Sequence, residues 1–274
     1  MNQLQNKPKF SLAIQSEGYK KLINNTLGDP KRAAKFIAAI SSAVATNSSL
    51  QQCDAGSILS GALLGEALNL SPSPQLGQYY LVPFKDKAQF QLGYKGYIQL
   101  AIRSGQYKDI DVIEVRDGEY LGRDKITGKH QFEFIEDEVE RENKPIIGYM
   151  AYFEYLNGFY KNLYWSKEKM QKHALEYSQA YASDVKKGTN YSFWTKDFNG
   201  MAFKTMLRQL ISKWGIMSID MQEALTKDMS VVKEDGTYDY VDNQTVMEVP
   251  SEERVEQTAE TTTVEVKQVN INEL

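Results

Sequence analysis

The stretch that decides the fold is "AQFQLGYKGYIQLAIRSG", residues 88–105. Its first half alternates apolar Ala88, Phe90 and Leu92 with the amides Gln89 and Gln91, the period of two that marks a strand with one buried face. It breaks at Gly93, passes through Tyr94-Lys95-Gly96-Tyr97, and continues from about Tyr97 in a helical pattern to Arg103. Amides, tyrosines and a lysine set around two glycines suit a surface for something long, anionic and flat. They suit an ordinary strand-to-helix turn equally well.

Upstream of this stretch, "QYYLVPF" and "KAQFQL" read as short strands. Before them, "GDPKRAAKFIAAISSAVATN" has Asp29 as N-cap, Pro30 at the first helical position and an apolar face of Phe36, Ile37, Ile40 and Val44. A second helix follows Asp54 through "AGSILSGALLGEALNL". Its small residues (Ala55, Gly56, Gly61, Ala62, Gly65) permit close packing, as a core helix or as a subunit contact. Downstream come strand-like runs at "DIDVIEV", "KHQFEFI", "IIGYMAYFEY" and "GFYKNLYW", punctuated by turn signals at "RDGEY", "ITGK" and "LNGF". Helices return at "SKEKMQKHALEYSQAYA" and "FWTKDFNGMAFKTMLRQLISKW", with a short one at "SIDMQEALTKD". Helices, then meandering strands, then helices describe an α+β fold: antiparallel sheet and hairpins flanked by helices, not a parallel doubly wound sheet.

The chain has 274 residues, enough for one large domain and an appendage. Hydrophobic residues make up 42% and charged residues 25%, as in a globular protein of the aqueous phase. No apolar run approaches the ~18 residues of a membrane span, and the first residues lack a signal-peptide pattern. The single cysteine, Cys53, excludes an intrachain disulfide, and with only His130 and His173 besides, a zinc centre is not expected. A reducing cytoplasm fits this composition.

Charge is unevenly placed. Asp228 to Leu274 carries twelve acidic residues against three basic ones, a net −9, which leaves +5 on residues 1–227 of a chain whose total is −4. A polyanion is therefore a plausible partner for the body and an implausible one for the tail. Beyond about Ser230, Glu, Thr, Gln and Val replace the aromatic and aliphatic residues. The expected division is a core domain at 1–229 and a disordered acidic tail at 230–274, in which "TVEVKQVNI" alternates like a strand.

Motifs for catalysis are weak. "GRDKITGKH" (122–130) has one residue too many between its glycines for a phosphate-cradling P-loop, and His130 stands where Ser or Thr should hold magnesium, so it reads as a hairpin turn. "EFIEDEVERE" (133–142) clusters carboxylates but reads as a solvated face, and His173 as a surface histidine. No enzyme, no cofactor and no metal are expected. A metal-dependent nuclease using the 133–142 carboxylates is the enzymatic alternative.

The last long helix has a buried stripe of Phe203, Leu207, Leu210 and Trp214, with Asp197, Met201, Lys204, Thr205, Arg208 and Ser212 opposite. Lys204 and Arg208 lie one turn apart on one face; Lys196, Phe198 and Asn199 sit near the helix start, where free N–H groups favour an anion.

Four stretches, "DPKRAAKFIAAISSAV", "LQQCDAGSILSGALLGEALNLSPSPQLGQYYLVPF", "AQFQLGYKGYIQLAIRSG" and "FWTKDFNGMAFKTMLRQL", span most of residues 29–212. In order and spacing they resemble the RecT family of phage-type single-strand annealing proteins. The resemblance implies a recombination protein that binds single-stranded DNA and the annealed duplex, anneals complementary strands without ATP or an obligatory metal, and assembles into homo-oligomeric rings or helical filaments. It further implies a 5′-to-3′ exonuclease and the host single-stranded DNA-binding protein as partners, reached through the tail. On this reading Lys95, Arg103, Lys196, Lys204 and Arg208 neutralise phosphates, and Gln89, Gln91 and Asn199 are neutral hydrogen-bonders. Gly93 and Gly96 would let backbone approach a phosphodiester closely, while Tyr94, Tyr97, Trp194 and Phe198 serve either the core or the DNA. A self-assembling structural phage protein with incidental nucleic-acid binding is the alternative from another class.

Overall fold

Asp29 caps a helix as its position predicts: its carboxylate accepts the Lys31 N–H, Pro30 occupies the first turn, and the helix runs Pro30–Ala45. The structure is a computed structural model and describes residues 10–233 and 238–240. In chain order its helices and strands open with α1 (Phe10–Ala13), α2 (Glu17–Leu27), α3 (Pro30–Ala45) and α4 (Ala55–Ala67). A hairpin of β1 (Tyr79–Phe84) and β2 (Lys87–Leu92) leads into α5 (Tyr94–Arg103). Then come β3 (Tyr107–Arg116), β4 (Tyr120–Arg123), β5 (His130–Phe132), α6 (Glu138–Asn143), β6 (Ile146–Tyr155) and β7 (Tyr160–Ser166). The chain continues through α7 (Lys167–Tyr177), α8 (Gln179–Lys187), α9 (Phe193–Lys196), α10 (Phe198–Trp214), α11 (Ile219–Lys227), β8 (Ser230–Val232) and β9 (Tyr238–Tyr240).

The strands form one sheet of order β1-β2-β8-β9, another of order β3-β6-β7 and the ribbon β4-β5, with antiparallel pairing throughout. With helices around them this is the α+β architecture expected. The segment 122–130 is the turn of the β4-β5 ribbon. One buried cluster joins Phe10 on α1 to Val232 on β8. Within it α4 is buried on nearly every side, and a Cβ on Gly65 would collide with the ring of Tyr79 on β1. Its small residues bring a helix close to a sheet, so it is a core helix. Asp54 caps it through the Ser57 N–H at 2.9 Å, and the Ser57 hydroxyl in turn accepts the Ala88 N–H of β2 at 2.9 Å.

Several boundaries differ from expectation. Helix α5 begins at Tyr94 rather than Tyr97, because extended Gly93 stands as its N-cap and Gly96 is accommodated inside it. The helix expected across 166–182 divides at Ser178, whose hydroxyl caps the second half by accepting the Tyr181 N–H. The last long helix divides at Asp197, whose carboxylate accepts the Gly200 N–H at 2.9 Å. The carboxylate-rich stretch holds a short helix as well as a solvated face: α6, built on the Asp137 cap. His173 is half-buried rather than on the surface, its ring 5.3 Å from Trp165 and 4.5 Å from Tyr177.

Just past the expected boundary at residue 230 the described chain still packs on the body, since Ser230, Val231 and Val232 are buried. Ser230 pairs with Phe90, which places β8 on the open edge of β2. The rest of the segment expected to be a tail, with the strand-like "TVEVKQVNI", lies outside the described residues.

Candidate nucleic-acid interface

Between the β1-β2-α5 turn and the α9-α10 corner lies a cleft of about 240 Å³. Tyr80 comes from β1, Gln91 and Leu92 from β2, and Tyr94 from the first turn of α5. Opposite stand Phe193 and Lys196 of α9, Asp197 at the corner, and Gly200, Met201 and Lys204 of α10. The Tyr80 and Phe193 rings are 5.9 Å apart, and Tyr94 is held edge-on to Phe203 at 5.5 Å. Burial, followed by the charge of Asp197 and by Tyr94, pushes the Tyr80 phenol above its ordinary pKa, so it stays a neutral hydroxyl. Lys196 is exposed at the rim. Lys95 on α5 is exposed as well, its ammonium 5.9 Å from the Tyr94 ring.

Below the rim is a buried charge cluster. Asp228 is 1% exposed and accepts four hydrogen bonds: from the Leu92 N–H at 2.8 Å, the Tyr97 hydroxyl at 3.1 Å, Lys204 Nζ at 3.0 Å and an Arg208 guanidinium nitrogen at 2.6 Å. Burial alone would raise its pKa; Lys204, then Arg208 and the Leu92 N–H outweigh that and hold the carboxyl below its usual range. Burial pushes the Lys204 ammonium down despite Asp228. Burial and then the Asp228 charge push the Tyr97 phenol up, keeping it a neutral donor. Two cations facing one carboxylate give this cluster a net positive charge, and of the three Lys204 alone lines the cleft.

A second carboxylate fixes the opposite wall. Asp184 of α8 accepts the Thr189 hydroxyl at 2.6 Å, the Tyr191 N–H at 3.0 Å, the Ser192 N–H at 2.7 Å and the Thr195 hydroxyl at 2.7 Å. Led by the Thr189 hydroxyl, these bonds depress its pKa far below the ordinary carboxylate value. They clamp the loop into α9 and thereby orient Phe193 and Lys196.

The structure brings only part of the expected set together. Gln91, Tyr94, Lys196 and Lys204 line the cleft. Lys204 and Arg208 are not on a solvated face: the face opposite the apolar stripe is covered by Asp228 and the β8 connection, so Lys204 is 5% exposed and both cations are ion-paired. Tyr97 is a core residue in the same cluster. Gln89 is buried, its amide donating to the Met229 carbonyl. Arg103 reaches the Leu68 carbonyl at 2.7 Å and the Asn69 carbonyl at 3.3 Å, holding the end of α4 instead of facing the cleft. Asn199 is engaged by the Tyr149 hydroxyl at 2.7 Å and by Glu114 at 2.6 Å. Phe198 packs against Trp194 at 5.2 Å, and Trp194 is buried, so both take the core alternative.

The two glycines serve the chain itself. A Cβ on Gly93 would collide with the Gly77 carbonyl oxygen, and one on Gly96 with that of Gln78. The segment approached closely is the lead-in to β1, not a phosphodiester. Sequence patterning does not single out Tyr80, Phe193, Asp184 or Asp228. A signal for two of them exists: Tyr80 is the outward residue of a strand whose neighbour Tyr79 is buried, and Phe193 follows a serine cap.

The α+β body thus carries an aromatic cleft with Lys196 and Asp197 beside it and the ammonium of Lys204 at its floor. The RecT family model matches residues 34–246, and the chain belongs to the RecT family. It is 41% identical over 212 residues to the uncharacterized protein YqaK of Bacillus subtilis (strain 168), covering 77% of this chain and 68% of that protein. It is also 30% identical over 193 residues to Protein RecT of Escherichia coli (strain K12), covering 65% of each. Membership supports a role in recombination and single-strand annealing.

Proposed function

We propose that this chain binds single-stranded DNA across the cleft and anneals complementary strands without ATP or an obligatory metal, as an oligomeric ring or filament. The observation that carries the reading is the pairing of exposed Lys95 and Lys196 with the rings of Tyr80, Tyr94 and Phe193, in a member of the RecT family. Backbone phosphates meet the lysines and release counterions, an interaction indifferent to sequence that leaves base edges available for pairing. Gln91 adds a neutral hydrogen-bonding group beside them. Lys204 and Arg208 act from beneath, their net charge lowering the cost of bringing a polyanion to the cleft. The 122–130 segment, a turn between two antiparallel strands instead of a phosphate-cradling loop leading into a helix, supports ATP independence. The acidic segment after Asn243 is proposed to recruit the exonuclease and the host single-strand-binding protein in the bacterial cytoplasm.

The test is annealing of complementary oligonucleotides with chelator and without nucleotide, followed by negative-stain imaging. Duplex formation together with rings or filaments is expected. Loss of all product on removing both nucleotide and metal at low salt would refute the mechanism.

A further inference from the structure

The cleft is too small and too apolar at its walls for a phosphodiester alone. At about 240 Å³ it lies below the roughly 300–1,000 Å³ of sites for drug-sized ligands, which suits one ring system rather than a whole nucleoside. Three of its walls are aromatic: Tyr80, Tyr94 and Phe193. Its floor carries a charged donor that is not saturated. Lys204 has three N–H donors, is 5% exposed, and among the described residues makes one hydrogen bond, to Asp228.

A neighbouring amide has its polarity set by the backbone. The Met229 carbonyl requires the Gln89 NH₂ group, so Gln89 turns its oxygen to Gln91, which must answer with its own NH₂ group at 2.9 Å. With its NH₂ group so committed, the Gln91 side chain, which lines the cleft, has its amide oxygen left over as an acceptor. A donor from Lys204 and an acceptor from Gln91 in one aromatic cleft match the pairing edge of a nucleobase, where every base sets a donor beside an acceptor.

We propose that the cleft is a nucleobase socket: each protomer seats one base of the bound strand against Tyr80, Tyr94 and Phe193, with its edge toward Lys204 and Gln91, while Lys95 and Lys196 hold the adjoining phosphates. This deepens the single-strand reading and rests on it. The socket accepts any base, because stacking and a donor–acceptor pair are common to all four. A seated base is withheld from pairing until it leaves, while the bases between sockets keep their edges free, which gives each protomer one fixed register mark on the strand.

The experiment compares three single strands of equal length and equal phosphate number: oligothymidylate, the same strand with apolar difluorotoluene isosteres of thymine, and a fully abasic strand. Each is titrated against the full chain across a salt series, and again against Tyr80→Ala and Phe193→Leu, with circular dichroism as a check on folding. The expected order is thymine, isostere, abasic, with the abasic strand about tenfold weaker or more, since a base on an aromatic platform is worth that much. The salt slopes should be equal, and Phe193→Leu should shrink the thymine-to-abasic ratio. Equal affinity for thymine and abasic strands, with a steep salt slope, overturns the socket while leaving the single-strand reading intact. Equal affinity for thymine and its isostere overturns the roles of Lys204 and Gln91. Binding of none of the three at any salt overturns both readings.

Discussion

The floor and the rim of the cleft carry the same residue type to opposite ends. Lys204 and Lys196 are eight positions apart, and both line the cleft. Lys204 is buried against Asp228, whereas Lys196 stands in solvent. A buried ammonium is tied to the stability of the fold, because removing its partner leaves an unpaired charge in low dielectric. An exposed one costs nothing to remove from the fold and acts through the field it projects. The difference teaches that charge counted along a sequence is not charge available to a ligand.

The largest effect should come from the floor. Asp228→Asn strips the carboxylate from between two cations and should cost about 3–5 kcal/mol of unfolding free energy, read by urea denaturation. Because the Asp228 pKa is depressed by folding, its contribution is complete above roughly pH 4 and is lost as pH falls through the folded value. The variant should show a flatter acid limb. Truncation before Asp228 should unfold the chain for the same reason, and truncation after Asn243 should leave the midpoint unchanged. If Asp228→Asn is as stable as the parent, floor and rim do not differ as argued.

Next in size is the rim. Lys95→Ala with Lys196→Ala should leave stability within about 0.5 kcal/mol and weaken single-strand binding uniformly across sequences. The slope of log affinity against log salt should fall by about 0.7 for each phosphate that is no longer neutralised. A drop in thermal midpoint without a change in slope would move these lysines to the structural class.

A smaller change is expected at Asp184→Ala. Its four accepted bonds hold the loop into α9, so hydrogen exchange should quicken across 189–196 and binding should weaken through misplacement of Lys196 and Phe193. Fold and far-ultraviolet dichroism should persist. The smallest effect belongs to Arg103→Ala: a decrease of about 1 kcal/mol in stability at the end of α4, with DNA affinity unchanged.

How much is legible in the sequence follows the range of each interaction. The α3 cap is readable because Asp29, Pro30 and the bonded Lys31 N–H are neighbours, and the β1-β2 hairpin because its alternation is local. The burial of Lys204 and Arg208 is not, because the covering carboxylate lies twenty or more positions on, in what reads as the start of an acidic tail. Periodicity sorts a helix into polar and apolar faces; it does not say whether another segment will close over the polar one. Gly93 and Gly96 are places of close approach, as their setting suggests, but only the fold shows that the partners are the carbonyls of Gly77 and Gln78. Gln91 and Tyr94 reach the cleft because they sit at the exit of the decisive strand, while Phe193 arrives from a distant part of the chain.

The cluster of one carboxylate and two cations also constrains how this protein can change over generations. Loss of Asp228 strands two cations in the interior, whereas loss of Lys204 or Arg208 alone leaves the other cation paired with the carboxylate, so 228 is the position that cannot move first. Well-packed neutral replacements made together escape that barrier. The carboxylate at 228 should therefore be inherited wherever a cation stands at 204 or 208, whereas 95 and 196 should drift independently between lysine and arginine.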